Sequence, residues 1–449
     1  MKIIAPFHKI SYLLTGLFVL LFLSACQQQE SNTPDLQTQE VSPPSTQGAL
    51  PAIIPVQKPT DRPLSEAMER LYDKWGPHED RDNELYSNFK FTPLSVLGRT
   101  PGISRRDPSK IIRVGGTYYV YYTSRRTKSE PVGVQAATDE LPAYDWDLAD
   151  IWFATSEDGF EWKEQGIAVS RNPQKGEYGD RSATTTDILV LNDTYYLYYQ
   201  AFTGRMGDAD PADVTVAWSD SPEGPWTKLG RPVIDKGQAG EWDEAAIHDP
   251  CPLIFNGKIH LYYKGQNYSM RDPNALIRAQ GLAIAEDPLG PFVKSVYNPI
   301  TNSGHETNFF PFREGIAVTV SIDGPEKNTV QFSPDGIHFD VASHIQMVPV
   351  SPGPFIPDAF TSQGNGRGFS WGLCHINAEG GGGQNYCFLA RFDCDLSLDV
   401  NLPIFKKNNL RFDEATYFQK VMKLSGEHKA QAVKAAETLA KETASGRID

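Results

Sequence analysis

Cysteine is scarce in this chain, and basic charge is outnumbered. Five cysteines stand among 449 residues, and 42 Lys and Arg face 56 Asp and Glu, for a formal net charge of −14. That balance leaves no electrostatic footprint for nucleic acid, which calls for a basic patch. It also disfavours tight adhesion to anionic membranes and suits an uncharged substrate such as a neutral oligosaccharide. The cysteine spacing matches no zinc site, and Cys251, Cys374, Cys387 and Cys394 leave three full disulfide pairings open. No glycine-rich phosphate loop and no G-x-S-x-G turn is present, which removes the usual nucleotide-binding and serine-hydrolase readings. Aromatics at 11% and charged residues at 22% make most of the chain globular.

The first residues read as an address. Lys2 and Lys9 precede an apolar run from about Tyr12 to Phe22, too short for a comfortable membrane span. Leu23-Ser24-Ala25-Cys26 then resembles a bacterial lipobox, with residues 1–25 removed and Cys26 lipidated. The expected location is therefore the cell envelope, anchored in a membrane and facing the periplasm or in the outer membrane. Residues 26–60, rich in Gln, Pro, Ser and Thr, read as a flexible tether. In "PLSEAMERLYDKWG", Leu64, Met68, Leu71 and Trp75 line one helix face behind an N-capping Ser65, so 61–95 reads as a small helical element. "EHKAQAVKAAETLAKE" makes 401–449 a C-terminal helical extension.

Between them the chain repeats. "GGTYYVYY", "NDTYYLYY", "NGKIHLYY" and "REGIAVTV" end at Tyr122, Tyr199, Tyr263 and Val320, spaced 77, 64 and 57 residues apart. Each joins a two-residue turn to an aromatic or alternating strand, and each is followed by a second strand-turn-strand signature such as "ATSEDGFEWKEQG". A degenerate fifth copy fits "GRGFSWGLCHI" and "YCFLARFDCDL". Units of this length with four short strands are propeller blades. The expected fold is all-β: a five-bladed β-propeller over 96–400, with the N-terminal helical element and a C-terminal helix.

Acids keep step with the blades. Asp107 lies ten residues before Thr117, Asp187 seven before Thr194, Asp249 nine before Lys258 and Glu306 nine before Gly315, with Asp358 about eight before the weak fifth strand. Carboxylates gathered at one mouth of a central funnel raise one another's pKa values and suit acid/base work. A glycosidase needs such a set: one group activates water, one protonates the leaving oxygen, and others steady an oxocarbenium-like transition state. Trp218, Trp371 and the tyrosines are candidate sugar-stacking faces.

The helical "LSEAMERLYDKWGP", "GISRRDPSKI", "SATTTDILVL", "EAAIHDPCPL" and "GHETNFFPF" together resemble glycoside hydrolase family 117, from about Asp61 to the C-terminus. The resemblance implies an exo-acting, inverting α-1,3-(3,6-anhydro)-L-galactosidase that releases 3,6-anhydro-L-galactose from neoagaro-oligosaccharides. It implies Asp107 as general base, Asp249 as the group that tunes the site, Glu306 as third carboxylate and His305 as general acid, held protonated by its neighbour. Thr186 and Asp187 would lie in the sugar subsite, with His248, Gln200 and Trp371 beside them. A homodimer exchanging the helical element is also implied. The resemblance allows a divalent cation near the funnel, although no ligand set in the sequence demands one.

Two rivals remain. A family 43-like arabinanase or β-xylosidase would share the fold but has no counterpart of His305. A non-catalytic glycan-binding lipoprotein would have no use for carboxylates in step.

Overall fold

The hairpin turns take the shape their residues favour. Gly115-Gly116, Asn192-Asp193 and Asn256-Gly257 have positive φ at both positions, at 57° and 94°, 51° and 61°, and 50° and 73°. Such turns carry the twist that lets two strands pair directly, and Gly, Asn and Asp adopt them at least cost. The three aromatic repeats therefore become tight hairpins, as their sequence patterns require.

A computed structural model of the chain describes residues 49–73, 84–127, 129–205, 212–269, 272, 275–276, 278–345, 348–361, 366–377 and 386–398. Cys26, the leader over 1–25, most of the tether and the 401–449 extension lie outside the described residues. No helix among the described residues is long and apolar enough to cross a membrane.

The chain is all-β, with one short helix, α1 (Glu66–Asp73), among the described residues. After α1 comes β1 (Lys90–Pro93). β2 (Ser104–Arg106), β3 (Ile112–Val114), β4 (Thr117–Arg125), β5 (Asp150–Ser156) and β6 (Trp162–Val169) form one sheet, with β2 and β3 both on β4. β7 (Ser182–Leu191), β8 (Thr194–Phe202), β9 (Asp213–Ser219) and β10 (Thr227–Lys228) form a four-stranded meander. β11 (Ala246–Phe255), β12 (Lys258–Gln266), β13 (Ala279–Ala285) and β14 (Val293–Lys294) form another. The run β15 (Asn308–Arg313), β16 (Gly315–Val320), β17 (Thr329–Ser333) and β18 (Asp340–His344) follows. β19 (Gly353–Pro354), β20 (Gly366–Asn377) and β21 (Cys387–Ser397) are the last of the described strands.

The described strands make four sheets rather than five. Phe312↔Arg367 and Arg313↔Gly366 join β15 to β20, so the last two runs share one eight-stranded sheet. β1 forms its outer edge, pairing Lys90–Pro93 with Asp393–Ala390 of β21. A strand expected to belong to the helical element thus closes the C-terminal sheet. The tether expectation also changes at its end. Leu50 and Ala52 are buried, and Pro51 and Ile53 form bridges to Glu241 and Ala275. An apolar pair in an otherwise polar stretch is enough to fix that segment on the body.

The cores lie between neighbouring sheets. Ile112, Tyr121 and Phe153 pack with Ile188, Leu197 and Tyr199. Tyr198 and Val216 pack with Ile247 and Tyr263, joined by Met68 of α1. Tyr262 and Phe309 stack 3.9 Å apart in a cluster that runs on to Phe369, Phe392 and Cys394. Leu373 and Leu389 meet Val120 and Tyr122. The four described cysteines are buried.

One core group carries a pH signature. His260 in β12 is 5% exposed, with its ring edge-on to Phe255, and burial pushes its pKa from 6.5 down to about 4. The unfolded chain therefore binds a proton there that the folded chain refuses. Stability should be intact above pH 6.5 and fall as the pH drops towards 4, by up to about 3 kcal/mol from this group. Urea unfolding of wild type and His260→Leu between pH 7 and 4 checks this. Equal pH slopes in the two proteins would refute it.

Candidate active site

The first strand of each run breaks at the same place. Asp107 (φ 50°), Thr185 (38°), Asp249 (47°), Glu306 (58°) and Ser351 (49°) all sit in the left-handed region. Asp107 separates β2 from β3, Thr185 and Asp249 fall in register shifts of β7 and β11, and Glu306 and Ser351 precede β15 and β19. Non-glycine residues in this region are strained, and the strain is tolerated where the fold over-determines it, often at functional sites. A bulge also re-aims its side chain. Three of the five are carboxylates, and the structure brings those three together.

Arg106 joins the first and the third. Its Nε donates to Asp107 Oδ2 at 2.9 Å, its Nη2 to Glu306 Oε1 at 2.8 Å and its Nη1 to Asp145 Oδ1 at 2.9 Å. Thr185 Oγ1 also donates to Asp107 Oδ2, at 3.0 Å. Asp249 Oδ2 takes Lys264 Nζ at 2.9 Å and the Glu306 backbone N–H at 3.3 Å. Gln200 Oε1 accepts the Asp249 N–H at 3.0 Å, so Gln200 fixes the bulge and does not reach outward. His248, buried against the Phe202 ring, lies close enough to Asp249 to favour its charge.

The expected mutual raising of carboxylate pKa values gives way to the cations. Burial opposes ionisation of Asp107, but Arg106 and His375 outweigh it and hold the carboxyl well below the usual range. Burial likewise opposes Asp249, and Lys264, with His305 and His248, brings it down to about 2. His305 is also corrected. Burial, then Lys264, push it below the ordinary histidine value, although Glu306 and Asp323 pull the other way. The ring keeps 22% of its side-chain surface open, with Nδ1 3.3 Å from Asp323 Oδ2 and Nε2 3.8 Å from Glu306 Oε1.

Other expected residues sit elsewhere. Asp187 is locked in an ion pair with Lys110 and accepts the Lys110 N–H at 2.8 Å, beside Cys251. Thr186 turns its hydroxyl to the Tyr198 carbonyl at 3.0 Å. The bulge at Thr184–Thr186 turns Thr185, not Asp187, to Asp107. Thr185 lies nine residues before Thr194, the spacing of Asp249 and Glu306, so the register itself could have found it. Trp371 is 5% exposed, stacked 5.6 Å from Phe355, edge-on to Tyr118 and 4.2 Å under the Arg391 guanidinium. It is core and offers no face to a sugar. Asp358 lies with Asn256 and Glu314 at the turn ends of β11 and β15, away from the bulges.

Arg106, Asp145 and His375 stand outside the register of acids that keeps step with the blades. Among the described residues, Asp107, Glu306 and His375 each offer one donor atom, all within 4.8 Å of one another and all buried. Asp107 Oδ1 and Glu306 Oε2 have no hydrogen-bond partner, and the His375 nitrogens lie 3.2 and 3.8 Å from them. Two carboxylate oxygens and an imidazole nitrogen suit a divalent cation.

Known proteins place the arrangement. The glycosyl hydrolases family 43 profile matches residues 100–281. Zg3597, a family 117 glycoside hydrolase produced by the marine bacterium Zobellia galactanivorans, shares 49% identity and a TM-score of 0.67 over 76% of this chain and 99% of its own. CoXyl43, a family 43 β-xylosidase/α-arabinofuranosidase from a compost microbial metagenome, shares 16% identity and a TM-score of 0.46 over 68% and 94%, too distant to inform the chemistry. No curated protein matches. The fold is propeller-like, the activity class is glycoside hydrolysis, and the chain belongs to glycoside hydrolase family 117.

Proposed function

We propose that the chain is an exo-acting α-1,3-(3,6-anhydro)-L-galactosidase that removes 3,6-anhydro-L-galactose from neoagaro-oligosaccharides in agar degradation, with inversion. The observation that carries this reading is the convergence of three strained carboxylates, Asp107, Asp249 and Glu306, beside His305 in a chain 49% identical to a family 117 hydrolase. Asp107, kept ionised by Arg106, is the base that takes a proton from the attacking water. His305 protonates the leaving oxygen, with Asp323 on its other nitrogen. Asp249, tied to Lys264 and to the Glu306 backbone, and Glu306 supply negative charge to the oxocarbenium-like state.

Asp107, Glu306 and His375 would hold a divalent cation. Held there, it would polarise an oxygen of the bound sugar. The fold reading is a five-bladed ring, supported by cores that link each run of strands to the next. The lipid anchor at Cys26 and the envelope location rest on the leader sequence. The exchanged-helix homodimer rests on the family resemblance, and α1 makes contacts on the body that an exchanged helix would reproduce. Ser65 Oγ donates to the Pro299 carbonyl at 2.8 Å, and Arg70 pairs with buried Glu326 at 2.7 Å. That surface would accept the same helix from a second copy.

The test incubates purified protein with neoagarobiose, neoagarotetraose, and aryl arabinosides and xylosides. Release of anhydrogalactose from the agar sugars is the expected result. Cleavage of arabinosides or xylosides alone would favour a family 43-like activity, and binding without turnover a glycan-binding platform.

A further inference from the structure

Arg106 spends each of its three nitrogens on a different carboxylate, at Asp107, Asp145 and Glu306, with 12% of its side chain exposed. We infer that Arg106 and Asp145 form a positioning clamp that sets the plane and separation of the Asp107 and Glu306 carboxyls. The inference rests on the reading of Asp107 as base.

The geometry is particular to arginine. A guanidinium is planar and presents its donors in a fixed fork, so three acceptors bonded to Nε, Nη1 and Nη2 are drawn towards one plane. A lysine ammonium is a point charge on a flexible stem and imposes no such plane. Asp107 Oδ2 and Glu306 Oε1 are committed to the guanidinium. Their other oxygens, Oδ1 and Oε2, are buried and lie 3.2 and 3.8 Å from the two His375 nitrogens. The clamp thereby decides which oxygen each carboxylate gives to the guanidinium and which it turns to His375.

Asp145 is the third point of the clamp, and it comes from the long connection between β4 and β5. It is fully buried, and its Oδ2 accepts the Ser104 hydroxyl at 3.1 Å. Its carbonyl accepts Arg125 Nε at 2.9 Å. Two residues on, Asp147 pairs with Arg181 and accepts the Ala143 N–H at 2.7 Å. Both sides of the tryptophan between them are thus fixed, so the connection cannot shift without moving Arg106. A merely stabilising ion pair would satisfy the same charges without serving two reacting groups at once.

The experiment has a kinetic arm and a spectroscopic arm. On neoagarobiose, Arg106→Ala should lose about a hundredfold in kcat with KM within about threefold, as expected when reacting groups are misplaced by a fraction of an ångström to an ångström. Added guanidinium should restore at least about tenfold of that loss, and should do nothing for Asp107→Asn. Arg106→Lys, which keeps the charge, should be as slow as Arg106→Ala. Asp145→Asn should lose about tenfold in kcat. In ¹⁵N NMR spectra, wild type should show separate, slowly exchanging Nη–H signals for Arg106, and Asp145→Asn should average them. Full activity in Arg106→Lys, an unrescued loss in a natively melting Arg106→Ala, or unchanged Nη signals in Asp145→Asn would each overturn the clamp. If wild type cleaves none of the sugars, the functional reading fails, and the NMR arm alone decides the clamp.

Discussion

Asp107→Asn should lower kcat on neoagarobiose by about a thousandfold, while the melting temperature changes little. The amide keeps the size of the carboxylate and still accepts from Thr185 Oγ1, which lies 3.0 Å from Oδ2. It cannot take a proton from water. Arg106 keeps Glu306 and Asp145 as partners, at 2.8 and 2.9 Å, so no buried cation is stranded. Steady-state kinetics beside a thermal melt makes the check. A kcat within tenfold of wild type would remove Asp107 from the role of base.

His305→Gln should slow cleavage of the natural linkage by about a hundredfold or more, and cleavage of an aryl glycoside with a good leaving group far less. A general acid matters in proportion to how badly the departing oxygen needs a proton. Glu306 is the competitor for the role, and the geometry disfavours it. Its donor atom lies within 4.8 Å of that of Asp107, and the two carboxyls share one guanidinium. Inverting enzymes keep acid and base carboxyls about 6.5–9.5 Å apart so that water fits between. The pH profile follows in sign. The acid must be protonated, and His305 lies below 6.5, so kcat/KM should fall as pH rises through a value on the acidic side of 6.5. That limb should vanish in His305→Gln. Equal losses on both substrates, or a limb that survives, would pass the role to Glu306.

The site was half legible. Asp249 and Glu306 fell out of a nine-residue offset to the following strand, and Asp107 out of an offset of ten. The same offset also points at Thr185, yet Asp187 draws the eye because it is an acid. A register shift of one residue reverses which face a side chain takes. At Thr184–Thr186 that shift turns Thr185 inwards and leaves Asp187 to Lys110. Trp371 misled for a related reason. Tryptophan suits sugar stacking and core packing equally, and only its neighbours Phe355, Tyr118 and Arg391 settle which.

The strands, the tight turns and the acidic residues at the strand starts can be read from the linear order of residues, because each depends on neighbours a few places away in the chain. Gly115-Gly116, Asn192-Asp193 and Asn256-Gly257 fold as they must wherever they stand. Which acids work together is a matter of long-range contacts. Asp107, Asp145 and Glu306 are up to 199 residues apart, and they meet because three separate segments converge on one guanidinium. Left-handed φ comes at modest cost to Asp107 and Asp249 and at more cost to Glu306, and local preference alone does not fix it at any of the three. The surrounding sheets hold it, and the charges of Arg106, next to Asp107 in the chain, and of Lys264, on β12, keep Asp107 and Asp249 ionised.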